Sequence, residues 1–229
     1  MIKVKKKRSK IKLKGFIIVL TIILLSVVLF FFYRNLKVAN IYVIGNSYLK
    51  EYEIIEEAGL RDYPYLYTVS TSKIQNKLKK NDFINDVKVK KTLFGKITIT
   101  ILENKILYEE KTGKYVLSNN TKVITENQTI NVPTLINDCS DMCEKLVKKL
   151  ILVDDDIMMR ISEMEYKPND LDKERFLFYM NDGNYVYVTL TKLNLINSYN
   201  EIYPTLEGKK GILYLDSGNH FEIKKDVNE

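Results

Sequence analysis

The sequence predicts an α+β protein held to a membrane by one helix, with a βααββ unit followed by a mainly antiparallel β domain that carries two helices. Three observations carry this reading. A charge-free apolar run, Phe16 to Tyr33, follows a strongly basic start. Behind it, the apolar residues switch between strand and helix periods over about 67 residues. From Asn104 onward they recur as short alternating strands between turn signals.

The first 14 residues hold seven lysines and one arginine and no acid. At about 1.5 Å per residue, a helix over 16–33 is roughly 27 Å long, close to the hydrocarbon thickness of a bilayer. Cations are retained on the cytoplasmic side, so 1–15 reads as a cytoplasmic tail, 16–33 as the transmembrane helix and the rest as extracytoplasmic. A cleaved signal peptide shares the basic start, but its apolar core is shorter and ends in small residues, whereas this one ends Phe-Phe-Phe-Tyr-Arg. The net charge of +7 invites a nucleic-acid partner. Taking the eight tail cations from 36 Lys+Arg leaves 28 against 29 Asp+Glu, so the exported part is not basic. No nucleic acid is expected; the tail is explained by topology and by anionic lipid.

The first extracytoplasmic unit is read over 38–104. Val38 to Asn46 alternates through Ile41 and Val43 as a strand and stops at Gly45-Asn46. Leu49 to Ala58 reads as a helix with Tyr52, Ile55 and Ala58 on its apolar face, ended by Gly59. A second helix starts at Ser70 or Thr71 as N-cap and carries Ile74 and Leu78 inward. Strands Ile84 to Lys90 and Lys96 to Leu102 close a three-stranded sheet against the two helices.

The second unit, 105–223, is read as strands Ile106 to Glu110, Lys114 to Leu117 and Lys122 to Thr125. Val132-Pro133-Thr134-Leu135 interrupts the ladder, and an amphipathic helix Met142 to Leu152 follows. Strands Ile161 to Tyr166, Arg175 to Met180 and Tyr185 to Thr191 come next, the last two joined by the hairpin signal Asn181-Asp182-Gly183-Asn184. A helix from Leu193 to Tyr203 is expected to end at Pro204, and Gly211 to Asp216 is a short strand before the turn Ser217-Gly218-Asn219. The tail 224–229 is expected to fray.

Cys139 and Cys143 lie four apart on the exported side, where a disulfide is permitted. On a continuous helix this spacing puts them on one face without guaranteeing bridging geometry, so a reduced pair is preferred over a local disulfide, and both over a metal.

The order of these pieces resembles the FtsQ/DivIB family of bacterial cell-division proteins. The likeness rests on Val38, Ile41, Val43, Gly45 and Asn46, on Glu53-Ile54-Ile55 ending at Gly59-Leu60, and on Ile84 to Val89 leading to Ile97-Thr98-Ile99-Thr100-Ile101-Leu102-Glu103. In the second unit it rests on Val132-Pro133-Thr134-Leu135, Ile161-Ser162-Glu163-Met164, Met180-Asn181-Asp182-Gly183 and Gly211 to Asp216. The resemblance implies a POTRA domain followed by a β domain, a location at the division septum, and binding to DivIC/FtsB-like and FtsL-like bitopic division proteins. It places the partner site at Ile212, Leu213, Tyr214 and Leu215, with Tyr199 and Tyr203 of the preceding helix contributing. That strand is expected at a sheet edge, where free backbone groups can take a further strand. One departure is that Glu103 is followed by Asn104-Lys105-Ile106, without the proline many relatives carry there.

No enzyme, cofactor, metal or small-molecule substrate is expected. Gly-x-Ser-x-Gly, Walker, Gly-x-Gly-x-x-Gly and His-Glu-x-x-His patterns are all missing, and the single histidine, His220, reads as a surface residue. Asp154-Asp155-Asp156 reads as a solvated turn rather than a Ca²⁺ cage, and the sequons at Asn119 and Asn127 as chance matches. Most of the 16 tyrosines, such as Tyr185 and Tyr187, fall at strand spacing, where aromatic side chains favour a pleated surface. The alternatives are a membrane-anchored cell-wall enzyme, which would show peptidoglycan turnover, and a POTRA-bearing polypeptide export factor. The latter usually adds a β-barrel, for which the residues after Glu103 are too few.

Overall fold

A computed structural model describes residues 13–125 and 130–224. Most of the basic tail, the sequon at Asn127 and nearly all of the C-terminal tail lie outside the described residues. Helix α1 (Leu13–Asn35) is continuous over 23 residues, and the side chains of residues 14–35 are exposed among the described residues. Its two aliphatic hydroxyls stay inside the helix, Thr21 donating to the Ile17 carbonyl and Ser26 to that of Ile22. By length and composition it can cross a membrane.

The chain divides into two compact units, Met1–Leu102 and Glu103–Glu229. In the first, β1 (Asn40–Ile44) lies parallel to β3 (Lys96–Glu103), with β2 (Ile84–Lys91) on the far side of β3. Helices α2 (Glu51–Glu57) and α3 (Thr71–Leu78) cover one face, as the periodicity predicts. Ser70 caps α3 by accepting from the Lys73 N–H, and Ile74 and Leu78 are buried. In α2 the apolar face differs from the expected one. Ile54 is buried and Ile55 half-buried, whereas Tyr52 is exposed and donates its hydroxyl to Glu53. Ile54 and Ala58, four apart, form the inward stripe.

The second unit is one nine-stranded sheet, in the order β12-β11-β10-β9-β8-β7-β4-β5-β6. Its strands are β4 (Ile106–Glu110), β5 (Tyr115–Leu117), β6 (Lys122–Val123), β7 (Thr134–Leu135), β8 (Ile161–Tyr166), β9 (Arg175–Met180), β10 (Tyr185–Thr189), β11 (Gly211–Tyr214) and β12 (His220–Ile223). Five pairings are antiparallel and three parallel, the parallel ones being β4–β7, β7–β8 and β10–β11. The segment around Pro133 does not interrupt the ladder. Proline lacks only a donor; its carbonyl accepts from the Glu109 N–H, and the two residues after it pair on both sides as β7.

Helix α4 (Cys143–Leu150) buries Leu146, Val147 and Leu150 in a core shared with Phe176 and Phe178. Asp154 and its neighbours form the start of a single helical turn, α5 (Asp155–Met158), where Asp155 pairs with Lys105 and Asp156 accepts from Asn200. Acids suit that end of a turn, where N–H groups are unpaired. The helix expected over 193–203 is instead broken. A 3-10 stretch at Leu190–Ser198 contains non-helical Lys192, α6 (Tyr199–Ile202) is one turn long, and a further 3-10 turn, Tyr203–Leu206, runs on past Pro204. Proline at the start of a new turn loses no hydrogen bond, so it does not terminate the segment.

Cys139 and Cys143 are joined in a disulfide, against the preference for a reduced pair. The premise of a continuous helix fails there: α4 begins at Cys143, and Ser140 has positive φ, which brings the two Cα atoms to 5.2 Å.

Candidate partner-binding surface

Strand alternation sorts the end of the large sheet into two faces. Phe176, Phe178, Val186, Val188 and Leu213 point into the core. Arg175, Tyr179, Tyr185, Tyr187, Ile212 and Tyr214 alternate with them on the opposite face and are only half-buried. There the register sets Tyr185 beside Ile212 and Tyr187 beside Tyr214, with His220 beside Tyr214 on β12. The rings touch in sequence. Tyr187 and Tyr214 are stacked with centroids 5.4 Å apart, and the His220 ring lies 4.6 Å from Tyr214 and nearly parallel to it. Tyr179 meets Tyr185 edge-on at 5.4 Å.

The ring row is backed by an ion pair. The Arg175 guanidinium sits 3.5 Å from the centre of the Tyr187 ring, and its Nε donates to Asp216 Oδ2 at 2.6 Å with both side chains mostly buried. Acids line the rest of the face: Glu222 accepts from the Tyr214 hydroxyl and Glu165 from that of Tyr179. The surface is therefore an aromatic strip with a mixed-charge border.

Its position is set from beneath by a buried network. Asn184 accepts from the Gly211 N–H through Oδ1 and donates through Nδ2 to the Tyr199 hydroxyl, which in turn donates to Asp182. This ties the β9–β10 hairpin, α6 and the start of β11 together and fixes the register of β11. Burial pushes the Tyr199 phenol far above its usual range.

The six residues singled out from the sequence divide accordingly. Ile212 and Tyr214 lie on the open face, and Tyr203 is half-buried between Arg160 and Lys210. Tyr199, Leu213 and Leu215 are core residues that hold this surface in place. The expected edge is also displaced: β11 is an inner strand between β10 and β12, and β12 is the edge. The Lys224 N–H donates to the Lys210 carbonyl, so by alternation the backbone groups of Phe221 and Ile223 point away from the sheet. Sequence reasoning missed β12, Arg175 and the ring row. The alternation Phe221-Glu222-Ile223 straight after a Ser-Gly-Asn turn was the available signal.

Tyrosine ionisation gives this unit a pH dependence. Burial pushes Tyr108 up to about 12, helped by the nearby Glu110 charge; burial and the bond to Glu165 push Tyr179 up to about 12. A free phenol ionises near ~10, so from about 10 to about 12 the unfolded chain loses protons that the folded one keeps. Stability is expected to be fully present below about pH 10 and to fall as pH rises through this window. Urea unfolding midpoints across that range check it; a flat profile, or one that the Tyr108→Phe variant does not flatten, contradicts it.

No three His, Cys, Asp or Glu side chains converge on a metal-binding arrangement among the described residues. Residues 36–104 match the FtsQ-type POTRA domain family, so the first unit carries a POTRA domain of the FtsQ type. Over most of its length the chain is similar to the DivIB cell-division proteins, in keeping with the FtsQ/DivIB resemblance of its motifs. It is 29% identical to cell division protein DivIB of Listeria monocytogenes over 95% of this chain and 84% of that one. It is likewise 29% identical to DivIB of Bacillus subtilis over 81% of this chain and 74% of the relative. Among solved structures, the extracytoplasmic domain of the division protein DivIB from Geobacillus stearothermophilus aligns with a TM-score of 0.37 at 22% identity, covering 46% of this chain and 95% of that one.

Proposed function

We propose that this chain is a bitopic scaffold of the bacterial division septum: α1 spans the cell membrane with the N-terminus cytoplasmic, and the POTRA and β domains, 38–104 and 105–223, bind other division proteins outside. It carries out no reaction. The partners are bitopic proteins of the DivIC/FtsB and FtsL kind, held in the same membrane so that modest contacts suffice at high effective concentration. The observation that carries the reading is the free edge of β12 beside the aromatic strip, which offers backbone pairing and ring contacts to one added strand. Ile212, Tyr214 and Tyr203 make the contacts; Tyr199, Leu213 and Leu215 position them.

The test is co-purification of the full-length protein with its DivIC-like partner from membranes. Ile223→Pro removes an outward-pointing donor without touching the ladder to β11, and Tyr214→Asp places a charge in the ring row. Each is expected to cut recovery of the partner at least about tenfold, since a lost strand pairing and a desolvated charge each exceed ~1.4 kcal/mol. Unchanged recovery with both variants folded removes the β12 site.

A further inference from the structure

The POTRA unit is tied to α1 with almost no slack. Leu36, one residue past the helix, accepts a hydrogen bond from the Leu66 N–H at 2.8 Å. The Val38 N–H donates to the Pro64 carbonyl at 3.0 Å, and Lys37 pairs with Tyr65 as an isolated β-bridge. From the other side, the Gly95 carbonyl accepts from the Ala39 N–H at 2.9 Å, so the tip of the β2–β3 hairpin stands beside the same four residues. At most ~3.6 Å per residue separates successive positions, so both loops lie within about 15 Å of the end of α1.

What these two loops expose is unusual for a soluble surface. Leu93 and Phe94 at the hairpin tip are 72% and 85% exposed, although buried positions of the same unit are filled with such side chains. Tyr63, Tyr65 and Tyr67 in the other loop are each more than 40% exposed. Cations stand among them: Arg34 in the last turn of α1, Lys37 over the Tyr65 ring, and Lys96 next to the hairpin tip, with Asp62 as a nearby acid. Lys91 braces the second loop from within by donating to the Leu66 and Val69 carbonyls. Apolar tips, tyrosines and cations gathered around residues 36–39 have the composition of a membrane interface, where amphipathic rings sit among headgroups and cations meet anionic lipid.

We propose that this end of the POTRA unit docks on the lipid surface of the leaflet from which α1 emerges. Leu93 and Phe94 enter the headgroup region, Tyr63, Tyr65 and Tyr67 lie at its level, and Lys37 and Lys96 meet lipid phosphates. The inference rests on the reading of α1 as a membrane span. Its consequence is orientation: the unit stands on the bilayer by its two loops rather than swinging on a tether.

The chain contains no tryptophan, which makes a single introduced one an unambiguous probe. Full-length protein is reconstituted in phosphatidylglycerol-containing bilayers with lipid brominated either near the headgroup or near the chain ends. Phe94→Trp is expected to show blue-shifted emission and a loss of fluorescence to the shallow bromine label. Tyr52→Trp, at the α2 end remote from these loops, is expected to show neither. Leu25→Trp, in the middle of α1, reports the span itself through loss to the deep label. Quenching of Leu25→Trp without quenching of Phe94→Trp overturns the docking and leaves the span standing. A blue shift of Phe94→Trp without lipid quenching means a protein covers the hairpin, and equal quenching of Phe94→Trp and Tyr52→Trp means undirected adsorption; either overturns the proposal. If Leu25→Trp is itself unquenched, the span reading fails and the docking falls with it.

Discussion

Replacing Asp216 with alanine is expected to destabilise the β domain by about 3 kcal/mol, the lower end of the cost of removing one partner from a largely buried ion pair. Arg175 would be left with its guanidinium mostly shielded from water and with the Tyr187 ring as its remaining close contact. The loss should not stay local. Asp216 also donates its backbone N–H to the Tyr187 carbonyl at the end of the β10–β11 pairing, so the ring row and the seating of β11 respond together. Hydrogen exchange on the full chain should show faster exchange in β9 to β12 and unchanged protection in the POTRA strands. Asp216→Asn keeps an acceptor and should cost less. If Asp216→Ala exchanges like the parent protein, the pair contributes neither stability nor shape to the surface.

The second large effect is expected at Gly45→Val. Gly45 has φ of +90°, and a Cβ there would lie 2.2 Å from the Ile101 carbonyl oxygen, a backbone atom in β3 that cannot step aside cheaply. Left-handed strain on a β-branched residue costs on the order of 1–3 kcal/mol before the clash is counted. The matched POTRA segment, 36–104, spans only 69 residues and has a total stability of roughly 3–10 kcal/mol at ordinary per-residue values. The variant should therefore unfold this unit at growth temperature, seen as rapid proteolysis of 36–104. Gly113→Ala supplies the comparison: its φ is also positive, at +79°, but nothing lies within 4 Å of the added Cβ, so only the strain of about 1 kcal/mol applies. Equal damage from both substitutions would mean that the close approach to Ile101 does not matter.

The first unit was legible because its signals are local. Alternation in Ile97, Ile99 and Ile101, the cap at Ser70 and the Gly45-Asn46 turn each act within a few residues, and the sheet order follows from so few strands. Ile54 in place of Tyr52 is the exception, because a seven-residue helix gives the period too little length to fix its inward face. In the β domain, β7 escaped notice because two residues have no period, and its pairing with β4 and β8 is wholly non-local. The edge strand β12 was hidden because His220 and Glu222 give its four residues little apolar content; its pairing shows only in the register that sets His220 opposite Tyr214 and Glu222 opposite Ile212, with the Tyr214 hydroxyl donating diagonally to Glu222. Arg175 and Asp216 are 41 residues apart, and only the β9–β10–β11 register brings them together.

The two-residue strand β7 has a further consequence. Among the described residues it is the only strand that joins the β4–β5–β6 ladder to the β8 to β12 ladder, and it is parallel on both sides. Pairing on the β8–β9–β10 side runs over five residue pairs per strand junction, and β4–β5 over three. Under tension applied at the β12 margin, the sheet is expected to part at this narrow seam first and leave both halves intact, so that β7 would behave as a mechanical fuse.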